Sequence, residues 1–108
     1  MEEYIQVFTT TEKKEDAEKI AKILVEKRLA GCSQVAGPIR STYWWKGNVE
    51  TAEEWLCVIK TKKNLYEELE NYIRKIHPYE VPEILATPIV MGSKDYLRWL
   101  DNELNKIS

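Results

Sequence analysis

His77 is the only histidine in this 108-residue chain, and Cys32 and Cys57 are its only cysteines. A Cys-His pair can act as a thiolate nucleophile with its base, or as two donors to a soft metal. Glu80 and Glu83 flank Val81-Pro82 and could serve as hard-ion ligands or as an acid and base pair. Plainer roles stand beside these: Cys32 as a small buried apolar residue, His77 as a helix C-cap, and the two glutamates as solvated loop acids. Cys57 lies between Leu56 and Val58 in an apolar run, which favours a core role. A single histidine cannot build a polyhistidine centre within one chain. The chain has no glycine-rich phosphate loop, dinucleotide fingerprint, Ser-His-Asp set or nucleophile elbow.

The elements that must position these groups follow from periodicity. Tyr4–Thr9 reads as a first strand, with Thr10 and Thr11 as candidate N-caps of the helix behind it. Ala17, Ile20, Ala21, Leu24 and Val25 share one face of that helix, and Gly31 is expected to end it in a left-handed cap. A second extended region from Cys32 to Lys46 carries a bulge or bend at Gly37-Pro38. Gly47-Asn48 has the composition of a two-residue hairpin turn. That turn would set Trp45 opposite Glu50, Tyr43 opposite Ala52 and Arg40 opposite Trp55.

Asn64 to Glu67 resembles a capping box, ahead of a helical face of Leu65, Leu69, Tyr72, Ile73 and Ile76. Pro78 ends this helix, and Pro78 and Pro82 stiffen the connection His77–Ile84. A fourth strand runs from Ile84 to Met91, and Pro88 favours a sheet edge for it. Ser93 is placed to cap a last helix with Tyr96, Leu97, Leu100 and Leu104 on one stripe. The order β-α-β, β-α-β, α predicts an α+β, ferredoxin-like βαββαβ sandwich with an additional C-terminal helix, residues 1–108 forming one domain. One sheet face is then left uncovered, and four tryptophans exceed what so small a core absorbs, so a homo-oligomer is expected.

Composition narrows the function classes. Sixteen basic and 18 acidic residues give a net charge of −2, which argues against an electrostatic nucleic-acid binder. No stretch approaches the ~20 apolar residues of a membrane span. The acidic Met1-Glu2-Glu3-Tyr4 start is unlike a signal peptide. A cytoplasmic protein with free thiols is the expectation.

Several blocks then resemble one family. Arg28-Leu29-Ala30-Gly31-Cys32, Ser41-Thr42-Tyr43-Trp44-Trp45-Lys46-Gly47, Ile59-Lys60-Thr61, His77-Pro78-Tyr79-Glu80-Val81-Pro82-Glu83-Ile84 and Tyr96-Leu97-Arg98-Trp99 are similar, in order, to the CutA divalent-cation-tolerance proteins. The histidine-proline block is the most specific of them. Ser33-Gln34-Val35 departs from the Val-Asn-Ile common in the family but keeps an amide at position 34. The resemblance implies a homotrimer similar to PII signalling proteins, joined through the long hairpin. It also implies binding of a divalent metal ion, copper being the first to test, with Cys32, His77 and Glu80 as candidate ligands.

The leading expectation is therefore metal sequestration or sensing by a non-enzymatic trimer. The alternative is a PII-like regulatory module that takes a small anionic metabolite or a partner protein between subunits, in a cleft of Lys60, Tyr79 and the hairpin aromatics. An enzyme using Cys32 as nucleophile is disfavoured, because no oxyanion donor set or oriented base accompanies it.

Overall fold

The β-branched and aromatic residues at the start of the chain form β1, Tyr4–Thr11, which runs two residues beyond the expected strand. The structure, a computed structural model, describes residues 3–106, so Met1 and Glu2 of the acidic start lie outside it. Thr10 and Thr11 belong to β1 and do not cap the helix, since their branched side chains suit an extended backbone. Thr11 Oγ1 instead donates to the Lys13 carbonyl at 2.7 Å and turns the chain into α1, Lys14–Glu26. Ala17, Ile20, Ala21 and Leu24 form its buried face, while Val25 stays exposed.

Gly31 is not the cap. Arg28 takes the left-handed conformation, with φ 59°, three residues earlier. That strain is held by tertiary contacts: Arg28 Nη1 binds Glu103, and the Arg28 carbonyl accepts the Asn105 N–H. Gly31 serves close approach instead, because a Cβ there would overlap the Leu100 side chain.

Two long strands follow, β2 at Cys32–Trp45 and β3 at Asn48–Lys62. Their register shifts between Ala36 and Ile39, the irregularity that Gly37-Pro38 predicts. The turn is Lys46-Gly47 and not Gly47-Asn48, so Trp45 pairs with Asn48, Tyr43 with Glu50 and Arg40 with Glu53. Both turn residues have positive φ, 49° and 84°, as a primed two-residue turn requires. The strand twist fixes the turn type, and Lys46 accepts a conformation its composition does not favour.

A 3₁₀ turn at Lys63–Leu65 precedes α2, Tyr66–Ile76. Asn64 falls inside that turn, so no capping box forms. The strand β4, Leu85–Ile89, is shorter than expected, and α3 spans Lys94–Glu103 with Ser93 Oγ accepting the Tyr96 N–H at 3.2 Å. The four strands form one antiparallel sheet in the order β2-β3-β1-β4, which is the ferredoxin-like arrangement, with Pro88 on an edge strand.

Side chains of α1 and α2 meet Val7, Cys57 and Ile59 in the core beneath one sheet face. The opposite face carries Phe8, Leu56 and Val58, each half-exposed, beside Leu85 at 59% exposure. Helix α3 covers only the end of the sheet near Gly31, Lys60 and Lys62. Because β1 ends opposite Trp55, the part of the hairpin beyond Ile39 and Glu54 projects as a two-stranded arm.

Lys62 anchors α3. Its buried ammonium lies 2.6 Å from Asp101 Oδ1, and this hydrogen bond holds the Asp101 carboxyl below the usual carboxylate range. A lowered folded-state value stabilises the fold above the ordinary range, and the contribution drains as pH falls through the lowered value. Asp101→Asn should lower the thermal midpoint at neutral pH, and its deficit against wild type should close as pH falls below the ordinary carboxylate range.

Candidate functional site

The segment after α2 is held by its histidine. The His77 backbone N–H still bonds the Ile73 carbonyl at 2.8 Å, and Pro78 prevents a further turn. The His77 ring is buried, and Nε2 donates to the Thr10 carbonyl at 2.8 Å. Nδ1 accepts the Tyr79 N–H at 3.1 Å. A carbonyl can only accept and an amide N–H can only donate, so the imidazole is neutral with its proton on Nε2. Burial lowers the His77 pKa, against the opposing pull of the Thr10 carbonyl, Asp16 and Glu54.

That pin sets Tyr79 in place. Its ring meets His77 edge-on at 4.8 Å, and its hydroxyl donates to Glu54 Oε2 at 2.7 Å. Burial first, and the Glu54 bond second, push the Tyr79 phenol well above its ordinary value. Glu54, on β3, is only 6% exposed. Sequence reasoning passed it over, although a carboxylate adjoining the run Trp55–Ile59 is a visible oddity in a strand.

Between the hairpin arm and the 79–83 loop lies a groove of about 730 Å³. Residues 41–45 form one wall, residues 79–83 the other, and Thr10 and Glu54 contribute between them. Tyr79 and the hairpin aromatics thus come together as the alternative expectation requires, but Lys60 does not join them. Its ammonium lies 5.6 Å from the centroid of the Tyr96 ring, beside α3. Glu54, Glu80 and Glu83 line the groove and, among the described residues, no Lys or Arg does, which disfavours an anion there.

Within one chain Cys32 does not meet His77. Cys32 opens β2 level with Lys60 and Gln6, whereas the His77 ring binds Thr10, four residues further along β1. Strand spacings put the two on the order of 15 Å apart. Cys32 instead neighbours the Tyr96 hydroxyl, and burial together with Cys32 raises the Tyr96 pKa. Glu80 shares the loop of His77 but faces the groove. Among the described residues, no three His, Cys, Asp or Glu side chains converge as a metal site. Cys57 is fully buried and its thiol is pushed up to about 12 by burial, so it is an inert core residue.

The model of the CutA1 divalent ion tolerance protein family matches residues 5–103. The chain belongs to that family. It is 39% identical to the divalent-cation tolerance protein CutA of Pyrococcus horikoshii over 102 residues, covering 94% of this chain and 99% of that one. The Thermus thermophilus protein of the same name is 41% identical over 100 residues, covering 93% and 95%. The chain spans only 55% of the length of the rice chloroplastic relative and 57% of the mouse one. Among solved structures, CutA1 from Oryza sativa superposes with a TM-score of 0.94 at 36% identity, covering 97% of this chain and 96% of that one. CutA1 from Pyrococcus horikoshii gives 0.89 at 38% identity, covering 94% and 99%. The names also differ in compartment: the rice relative is called chloroplastic, and the structure from Archaeoglobus fulgidus is titled periplasmic. No helix among the described residues is long and apolar enough to cross a membrane.

Proposed function

We propose that this chain, as one ferredoxin-like domain, works as a homotrimeric divalent-cation-binding protein of the cytoplasm, acting by sequestration or sensing and not by catalysis. Family membership supports the cation. The observation that shapes the proposal is the separation of Cys32 from Glu80 within a chain whose sheet face and hairpin arm are exposed. A shared site then takes its donors from neighbouring subunits, and threefold symmetry repeats it.

Cys32 and Glu80 are the donors this reading relies on most. His77, the third candidate, has both nitrogens engaged and would have to release the Tyr79 amide to give Nδ1 to a metal. Copper is the ion of choice for a set containing thiolate and imidazole. The Cys-His nucleophile reading loses its base within the subunit, because the two groups lie at opposite ends of the sheet.

Calorimetric titration of copper into wild type, Cys32→Ser, Glu80→Gln and His77→Ala tests the assignment. Loss of tenfold or more in affinity is expected for Cys32→Ser and Glu80→Gln, because each ligand contributes a full metal bond. Unchanged stoichiometry and affinity in both would remove these residues from the site.

A further inference from the structure

We propose that the groove between the aromatic hairpin arm and the 79–83 loop binds a small organic cation, an alkylammonium or guanidinium, with Glu54 as its charge partner.

Glu54 is more than nine-tenths buried, yet its side-chain partner is the neutral Tyr79 phenol. No Lys or Arg pairs with it among the described residues. A largely buried carboxylate with no cation beside it gains from one placed in the groove that it lines. Glu80 and Glu83 on the facing wall deepen the negative potential.

Chemistry then selects among cations. The wall opposite the loop holds Tyr43, Trp44 and Trp45, whose ring faces attract delocalised or alkylated positive charge. Trp45 already shows the preference, with the Lys46 ammonium 5.5 Å from its ring centroid. Trp44 is 74% exposed, a large ring left without an intramolecular partner to cover it. A bare metal ion gains little from such walls, and among the described residues no three His, Cys, Asp or Glu side chains converge on one. The groove's volume lies within the range of small-molecule sites.

The proposal stands on Glu54 and the rings; it shares Glu80 with the metal reading but does not use Cys32, so loss of Cys32 separates the two. A lysine or arginine side chain from a neighbouring copy has the same chemistry, and the test separates it from a free ligand.

Tryptophan fluorescence of the full chain is titrated with butylammonium, with butylguanidinium, and with butanol as a neutral control at constant ionic strength. Saturable quenching by the two cations and none by butanol is expected. Glu54→Gln should weaken binding about tenfold or more, and Trp44→Ala severalfold. Cys32→Ser should leave it unchanged. Because Trp44 is exposed, its variant decides the matter if Glu54→Gln does not fold. Equal response to butanol, or unchanged affinity in Trp44→Ala and Glu54→Gln, would overturn the assignment. Absence of saturable binding would overturn it as well, and is the result expected if a neighbour's basic side chain already fills the groove.

Discussion

Replacing His77 by alanine should lower the unfolding free energy by about 2 kcal/mol, the cost of leaving one buried and one part-buried backbone group unpaired. The groups are the Thr10 carbonyl and the Tyr79 N–H, bonded by opposite nitrogens of one ring. The loop carrying Tyr79 and Glu80 has few other attachments, so its loss should spread to the Tyr79–Glu54 bond. Chemical denaturation of wild type and variant measures the difference.

The same ring makes stability depend on pH. Protonating Nδ1 would set a second N–H against the Tyr79 amide, and burial already lowers the pKa. The unfolded chain therefore takes up this proton first as pH falls. Stability is full above the ordinary histidine value of about 6.5 and declines below it until the lowered folded value is passed. In His77→Ala this part of the profile should be flat, which separates the histidine from carboxylates that titrate lower.

Much of the architecture was legible because it is written locally. The 3.6-residue spacing of Ala17, Ile20, Ala21 and Leu24, the stop at Pro78 and the edge preference of Pro88 are properties of short segments. The errors fall where distant contacts decide. Arg28 accepts a left-handed backbone because Glu103 and Asn105 hold it, some 75 residues away in the chain. Gly31 then has a different task, and it is visible only once Leu100 arrives. Lys46 yields to the twist of two long strands.

The candidate site was legible as a block but not as a geometry. His77 stands out as the sole histidine, but the fold uses both its nitrogens to hold the loop. Glu54 lies 25 residues before Tyr79, and only the packed hairpin reveals that the two share a hydrogen bond. Cys32 and Glu80 are named by their sequence blocks, but within the chain Cys32 opens β2 level with Lys60 while Glu80 lines the groove beside the hairpin arm.

Substituting Val58 by glutamate should convert the proposed homotrimer to 12.7 kDa monomers while leaving the fold of each chain intact. Val58 lies at the middle of the uncovered sheet face, paired with Phe8 on β1 and with Gln34 on β2. Phe8 in turn pairs with Leu85, so a continuous half-apolar row crosses all four strands with no helix above it. In a lone chain the new carboxylate stays in water, and far-ultraviolet circular dichroism should be unchanged. In an oligomer closed over this face, every copy would bury an unpaired charge at a cost of several kcal/mol. Symmetry multiplies that penalty by the number of subunits. Sedimentation equilibrium reads the mass directly. An unchanged wild-type mass in Val58→Glu would show that the sheet face is not the interface, and would move the joint to the hairpin arm, where Trp44 and Val49 are the exposed candidates.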